Sequence, residues 1–191
     1  MNRDIRIDAV GPIDFKKDIP TQFSAFALPL SEGYHAKGHW GTICVQEIKT
    51  DKFLLRHFLF SLQQTITFYT QECNEGVQSL LSLQGNILHS VNSLKMVSLK
   101  EKEFILFDAA KEETFTKVEG QRTTSLLNVY YRHDGYKSLL PLFPSFKKQL
   151  KNPKRKAAYF LTAFDRDVIP YRKNNCVFEL SRSSNTQLFF R

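Results

Sequence analysis

Short runs of alternating or densely apolar residues follow one another from Trp40 to Arg132, at intervals of about ten residues. The runs are rich in β-branched and aromatic residues, and polar or glycine-containing turns separate them. This pattern predicts nine strands: Gly41–Ile48, Phe53–Phe60, Thr65–Thr70, Val77–Gln84, Asn86–Val91, Lys95–Leu99, Glu103–Asp108, Thr114–Glu119 and Ser125–Arg132. Nine short strands with no long helix between them are typical of a β-sandwich or barrel.

Two of the runs, Val77–Gln84 and Ser125–Arg132, are more densely apolar than strict alternation requires. Strands covered on both faces carry such sequences, so we expect these two to be central. The turns Lys49–Lys52, Gln84–Asn86 and Glu119–Gln121 supply Asp, Gly or Asn, the residues that best tolerate a positive φ angle.

The spacing of apolar residues changes after Asp134 and becomes helical, with interruptions at Pro141 and Pro144. We therefore predict two short helices with a proline break, and a further short helix over Lys156–Phe164. The expected organisation is a β-barrel sensor domain over residues 1–133 and a basic helical dimerisation and linker segment over residues 134–191. The apolar residues that define the helical spacing are Leu139, Leu140, Leu142, Phe143, Phe146 and Leu150.

Charge is distributed unevenly along the 191-residue chain, although its 42% apolar content is ordinary for a folded domain. Residues 1–133 hold 15 Lys and Arg against 15 Asp and Glu, whereas residues 134–191 hold 12 against 4, so the whole net charge of +8 lies in the last segment. Six of the ten residues in Lys147–Lys156 are basic. Two interpretations stay open: a solvated helix end, and contact with an acidic partner such as nucleic acid.

The sequence shows neither a targeting segment nor a disulfide pattern, which favours a cytoplasmic location. The chain has no stretch of roughly 20 apolar residues and no apolar core of a signal peptide near its start, so we expect no membrane contact. Cys44, Cys73 and Cys176 show no CxxC spacing and are expected to be reduced thiols. Because the chain ends just after Leu188-Phe-Phe, an apolar triplet, we expect a longer natural protein.

Catalytic and metal-binding patterns are absent from the sequence, which predicts a protein that is not an enzyme and has no metal ion or cofactor. His35 and His39 are four residues apart, but the neighbouring glycines predict a surface loop there rather than a ligand pair. His57, His89 and His133 occur singly in or near predicted strands, where structural or solvated roles are usual.

Three segments resemble the N-terminal regulatory part of AraC-type bacterial transcription regulators: Trp40–Ile48, Leu80–Ile87 and Tyr130–Pro144. The resemblance implies a cupin-like double-stranded β-helix or barrel that binds an effector, followed by helices that mediate dimerisation. In that family a C-terminal pair of helix-turn-helix motifs contacts DNA, and no such part is found in this chain. DNA contact is therefore expected only through a missing C-terminal domain.

The function predicted on these grounds is the ligand-sensing and dimerisation module of such a regulator, with a small-molecule effector and a second copy of the chain as partners. Candidate effector contacts in the barrel lumen are Trp40, His57, Phe68 and Tyr130, which combine aromatic surface with a polar handle or lie in mid-strand. Candidate dimer contacts are Leu139, Leu140, Phe143, Phe146 and Leu150. Two alternatives stay open: a small-molecule-binding barrel that works alone, and an interaction scaffold whose lumen is filled with side chains.

Overall fold

The architecture is described from a computed structural model of the chain. It describes residues 5–8, 10–71, 76–92, 95–109, 113–131, 135–138, 141, 159–163, 179–180 and 188–189. Within these residues there is no helix long and apolar enough to cross a membrane.

Antiparallel strands make up most of the described chain. The two short 3₁₀ helices span Thr21–Phe26 and Gly135–Ser138. The strands are β1 (Ile5–Ile7), β2 (Gly11–Pro12), β3 (Glu32–Gly38), β4 (Gly41–Lys49), β5 (Phe53–Leu62), β6 (Ile66–Gln71), β7 (Gly76–Gln84), β8 (Ile87–Asn92), β9 (Lys95–Leu99), β10 (Glu103–Ala109), β11 (Glu113–Val118), β12 (Thr123–Tyr131), β13 (Tyr159–Ala163), β14 (Glu179–Leu180) and β15 (Leu188–Phe189).

Thirteen of these strands form two large sheets, in the orders β2-β1-β6-β11-β8-β9 and β13-β10-β7-β12-β5-β4-β3, here called the six-stranded and the seven-stranded sheet. The other two strands, β14 and β15, pair with each other. The strands from β5 to β12 pair in a nested way, β5 with β12, β6 with β11, β7 with β10 and β8 with β9. A long antiparallel ribbon wound in this manner is a jelly roll, or double-stranded β-helix. The predicted mainly β fold is therefore confirmed.

All nine predicted strands are confirmed, each with ends within two residues of the prediction. The two strands expected to be central, β7 and β12, lie side by side within the seven-stranded sheet. Their inner faces pack against the six-stranded sheet, and their outer faces contribute to a second apolar cluster that includes Val77, Leu127 and Val129.

Two corrections concern the flanks of the jelly roll. The expected loop around His35 is strand β3, which pairs with β4 from Glu32↔Glu47 to Gly38↔Gly41. The helix expected over Lys156–Phe164 is wrong where the chain is described, because Tyr159–Ala163 forms β13 and pairs with β10. The other predicted helices, with Leu139, Leu140, Phe143, Phe146 and Leu150, lie outside the described residues.

A buried glutamine attaches the segment before β3 to the outer face of the seven-stranded sheet. Gln46 is fully buried; its Nε2 donates to the Phe26 carbonyl (2.9 Å), and its Oε1 accepts from the Leu28 amide (2.7 Å) and the Ser31 hydroxyl (3.2 Å). Backbone groups of an irregular segment are thereby paired although they lie against a sheet. Phe23 from the same segment packs on Cys44.

The turn between β3 and β4 depends on Gly41, whose φ angle is 123°. A Cβ atom there would clash with the Ser61 carbonyl and lie 2.7 Å from Leu62 Cα, so alanine adds overpacking to backbone strain. Gly11 also has a positive φ (88°) but open space around it.

We expect Gly41→Ala to lower the free energy of unfolding by about 3 kcal/mol and Gly11→Ala by about 1 kcal/mol, measured by urea denaturation. Equal losses would contradict the packing described at Gly41.

Candidate functional site

The period-two alternation of β5 determines which of its side chains lie between the sheets. Phe58 and Phe60 belong to the cluster that contains residues of both sheets, whereas Leu55 belongs to the cluster on the outer face. Arg56 has the same parity as Phe58 and lies between the sheets. His57 has the opposite parity and lies on the outer face.

A cavity of about 10 Å³ lies between the two sheets. Each sheet contributes both polar and apolar side chains to its walls. The lining residues are Arg56, Phe58, Phe68, Thr70, Leu80, His89, Thr116, Leu126 and Asn128. A cavity of this size is close to the minimum that holds one water molecule, so it accommodates a single small polar group.

His89 is a buried polar residue that lines this cavity from the six-stranded sheet. Its Nδ1 lies 2.8 Å from Thr116 Oγ1, and its ring contacts Phe107 with 5.4 Å between ring centroids. Nε2 is buried and has no hydrogen-bond partner among the described residues. Burial lowers the pKa of His89 to about 4, so the imidazole is neutral at pH 7.

Asn128 faces the same cavity from the seven-stranded sheet. Its Nδ2 donates to Gln78 Oε1 (3.2 Å), an orientation that directs Oδ1 elsewhere. Oδ1 is buried and, within the described part of the chain, accepts no hydrogen bond. A buried donor or acceptor without a hydrogen-bond partner costs about 1–3 kcal/mol, and His89 Nε2 and Asn128 Oδ1 are two such atoms on facing sheets.

Arg56 brings a positive charge to the cavity wall, and Glu47 neutralises it. Arg56 Nε donates to Glu47 Oε1 at 3.0 Å, and the two side chains are only 12% and 2% exposed. Lys49 Nζ lies 3.9 Å from the other carboxylate oxygen. A buried pair of this kind is costly to break because a lone charge would remain in a poorly solvated place.

The four candidate effector contacts do not come together at one site. Phe68 lines the cavity, and Trp40 is buried in the same apolar cluster between the sheets. Tyr130 is two residues from Asn128 on β12, so both side chains point to the same face, and Tyr130 is buried with its ring beside Gly76. The placement of His57 in the lumen was wrong, because alternation puts it on the outer face. An effector-binding role for Trp40, Phe68 and Tyr130 stays a prediction.

On the outer face, His57 pairs with Ser125 of the neighbouring strand. Its Nε2 lies 2.8 Å from Ser125 Oγ, and both side chains are buried. Nδ1 has no hydrogen-bond partner among the residues that the structure describes, so no carboxylate orients this ring as in a catalytic triad. Burial lowers the pKa of His57 to about 4.

The residues that do meet in the cavity have only weak signals in the sequence. Arg56 and Asn128 are polar residues inside otherwise apolar runs, at positions with inward parity, and this signal could have identified both. His89 was given a structural or solvated role because nothing beside it in sequence has a ligand pattern. Its partner Thr116 is 27 residues away.

Within the described ranges, no group of three or more His, Cys, Asp or Glu side chains could hold a metal ion.

The two buried histidines make stability depend on pH. Because their pKa values in the folded state are about 4, below the ordinary 6.5, the unfolded chain takes up protons first as the pH falls. Stability that is complete above pH 6.5 is therefore lost progressively down to about pH 4. Each histidine contributes up to about 3 kcal/mol to this loss.

We expect His89→Gln and His57→Gln each to reduce the decline in unfolding free energy between pH 7 and pH 4.5, measured by urea denaturation at several pH values. His39→Gln, at an exposed turn position, is the matched control. A decline that is the same in all three variants and the parent protein would contradict the burial of neutral imidazoles.

No protein-family model matches the sequence, and a search of curated proteins found no match. Solved structures do resemble the fold. KdgF from Halomonas sp. is 13% identical, with 47% of this chain and 82% of that chain covered at a TM-score of 0.36. The cupin domain of Schizosaccharomyces pombe Cnp3 is 12% identical, with 50% and 69% covered at a TM-score of 0.39.

A third similar structure is unsaturated fatty acid-bound wild-type ToxT from Vibrio cholerae, which is 10% identical, with 62% of this chain and 43% of that chain covered at a TM-score of 0.44. At such low identities and TM-scores, the similarities carry no argument about ligand or activity. The double-stranded β-helix rests on the strand order of the chain itself.

Proposed function

We propose that this chain is the ligand-sensing and dimerisation module of an AraC-type transcription regulator, and that its effector binds between the two sheets. The observation that carries the proposal is the convergence of His89 and Asn128, from facing sheets, on one cavity beside the Arg56–Glu47 pair. Small-molecule sites combine apolar walls with a few converging polar groups, and this cavity brings polar side chains of both sheets together beside Phe58, Phe68 and Leu80.

The family part of the proposal rests on the three segments that resemble such regulators. Trp40–Ile48 contains most of β4, and Leu80–Ile87 joins β7 to β8, so both are jelly-roll segments. Tyr130–Pro144 begins at the end of β12 and leads into the segment proposed for dimerisation. In this proposal, DNA recognition belongs to a further C-terminal domain.

Effector binding is tested by a thermal-shift screen of small metabolites with the full 191-residue chain. A bound effector raises Tm because it binds the folded state alone. We expect Asn128→Leu and His89→Leu to weaken binding about tenfold, the effect of one lost buried hydrogen bond. His57→Leu removes a buried imidazole from the outer face and should leave affinity unchanged. An effector whose affinity falls only in His57→Leu would refute the site.

Self-association is the second arm of the proposal. The apolar stripe Leu139, Leu140, Phe143, Phe146 and Leu150 is proposed to pair with its copy in a twofold dimer. We expect a dimer at micromolar concentration in sedimentation velocity, converted to monomer by Leu140→Asp or Phe146→Asp. Gln149→Asp, at a polar position of the same segment, should leave the dimer intact. A monomer in the parent protein would rule out this interface.

The small volume of the cavity favours a second candidate function, an interaction scaffold with a lumen filled by side chains. A barrel packed in this way has no need of an effector. If the metabolite screen gives no Tm shift while the chain still forms a dimer, the scaffold function replaces the sensing function.

A further inference from the structure

Residues 19–31, here called the strap, lie against the outer face of the seven-stranded sheet and have a small apolar cluster of their own. Phe23 is 2% exposed and packs on Cys44 and Leu59, which are fully buried, and Ile19 packs beside them. This cluster is separate from the larger one between the sheets. Detachment of the strap would therefore disrupt the small cluster and leave the core of the jelly roll in place.

Three hydrogen bonds between the strap and the sheet converge on one side chain, that of Gln46 on β4. Its amide group donates to the Phe26 carbonyl and accepts from the Leu28 amide and the Ser31 hydroxyl. The backbone amide of Ser31, in contrast, donates to the Leu28 carbonyl within the strap itself (3.3 Å). Because one side chain makes all three bonds to the strap, its loss releases them together.

The turn at the end of the strap is strained at Leu30. The φ angle of this residue is 64°, in the left-handed region that glycine and asparagine adopt more readily than leucine. The Leu30 side chain is 97% exposed, so packing contributes little to holding it there. The turn instead depends on the bond from Ser31 to Leu28 and on Gln46. Opening of the strap relieves this strain, which favours the open state.

We infer that the strap is a conformational switch, which opens as one unit while the jelly roll stays folded and thereby uncovers the Cys44 thiol. Gln46 is the latch of this switch, and the strained turn at Leu30 opposes the latch. In the closed state burial raises the pKa of Cys44 to about 11, so the thiol is protonated and shielded from reagents. The inference is independent of effector binding, because the strap lies on the outer face of the sheet.

Labelling of Cys44 by iodoacetamide measures the opening of the strap in the full chain. Mass spectrometry of the digested protein reads Cys44 separately from Cys73 and Cys176. The labelling rate is followed at constant pH over urea concentrations below the unfolding transition. We expect this rate to depend on urea much less steeply than global unfolding does, because opening of the strap exposes only a small part of the surface that unfolding exposes.

Two substitutions should change the labelling rate in opposite directions. Gln46→Leu removes three hydrogen bonds and should accelerate labelling of Cys44 at least about tenfold. Leu30→Asn places a residue that tolerates the turn and should slow labelling about fivefold. Lys102→Asn is the matched control, because Lys102 also has a positive φ (67°) but lies in the turn between β9 and β10. It should leave the labelling rate without urea unchanged.

Labelling of Cys44 with the same urea dependence as global unfolding would overturn the inference, since the strap would then open only together with the jelly roll. Equal slowing by Leu30→Asn and Lys102→Asn would overturn it as well. The urea dependence is measured on the parent protein, so it does not rely on how well any variant folds. None of these measurements uses an effector, so a metabolite screen without a hit defeats the proposed function and leaves the switch standing.

Discussion

The two sheets of the jelly roll bury one face of each against the other, and this burial determines where polar side chains can be placed. Each strand of the jelly roll gives alternate side chains to the space between the sheets, and most of that space is filled with apolar groups. Phe58, Phe60 and Phe68 form an aromatic cluster across the two sheets, with ring centroids 5.2–6.2 Å apart. Polar groups can share this space only where other polar groups meet them.

The polar side chains at the cavity come from several strands and are only partly matched. Arg56 and Glu47 satisfy each other's charge, and His89 has Thr116, but one atom each of His89 and Asn128 is left without a described partner. Purely apolar residues of similar size would pack there at lower cost. A fold gains no stability from unpaired buried atoms, so a binding role is the physical reason we give for their presence.

Much of the fold could be predicted from the sequence because the strands of the jelly roll are long enough to show the alternation of apolar and polar residues. Strand β3 was missed because its glycines are typical of loops, whereas in the fold Gly38 provides room for the Trp40 ring. The helical spacing at Lys156–Phe164 was misleading, since pairing with the edge of β10 overrides local propensity.

The site was harder to predict than the fold, for two different reasons. His57 was misplaced although the alternation of its own strand indicates the correct face. Phe58 and Phe60 point inward, and His57, an odd number of residues from both, points outward. His89 could not have been singled out in this way, because its importance arises from Asn128 on the other sheet. Contacts between sheets depend on a topology that no local pattern contains.

Whether the effector binds between the sheets, as proposed, can be read from the imidazole resonances of the two buried histidines. His89 and His57 are buried to a similar extent, one facing the cavity and the other on the outer face of the seven-stranded sheet. During titration with an effector from the screen, we expect large shifts of the His89 ring resonances and none of the His57 ring resonances. Shifts of the His57 resonances with unchanged His89 resonances would place binding on the outer face and rule out a site between the sheets.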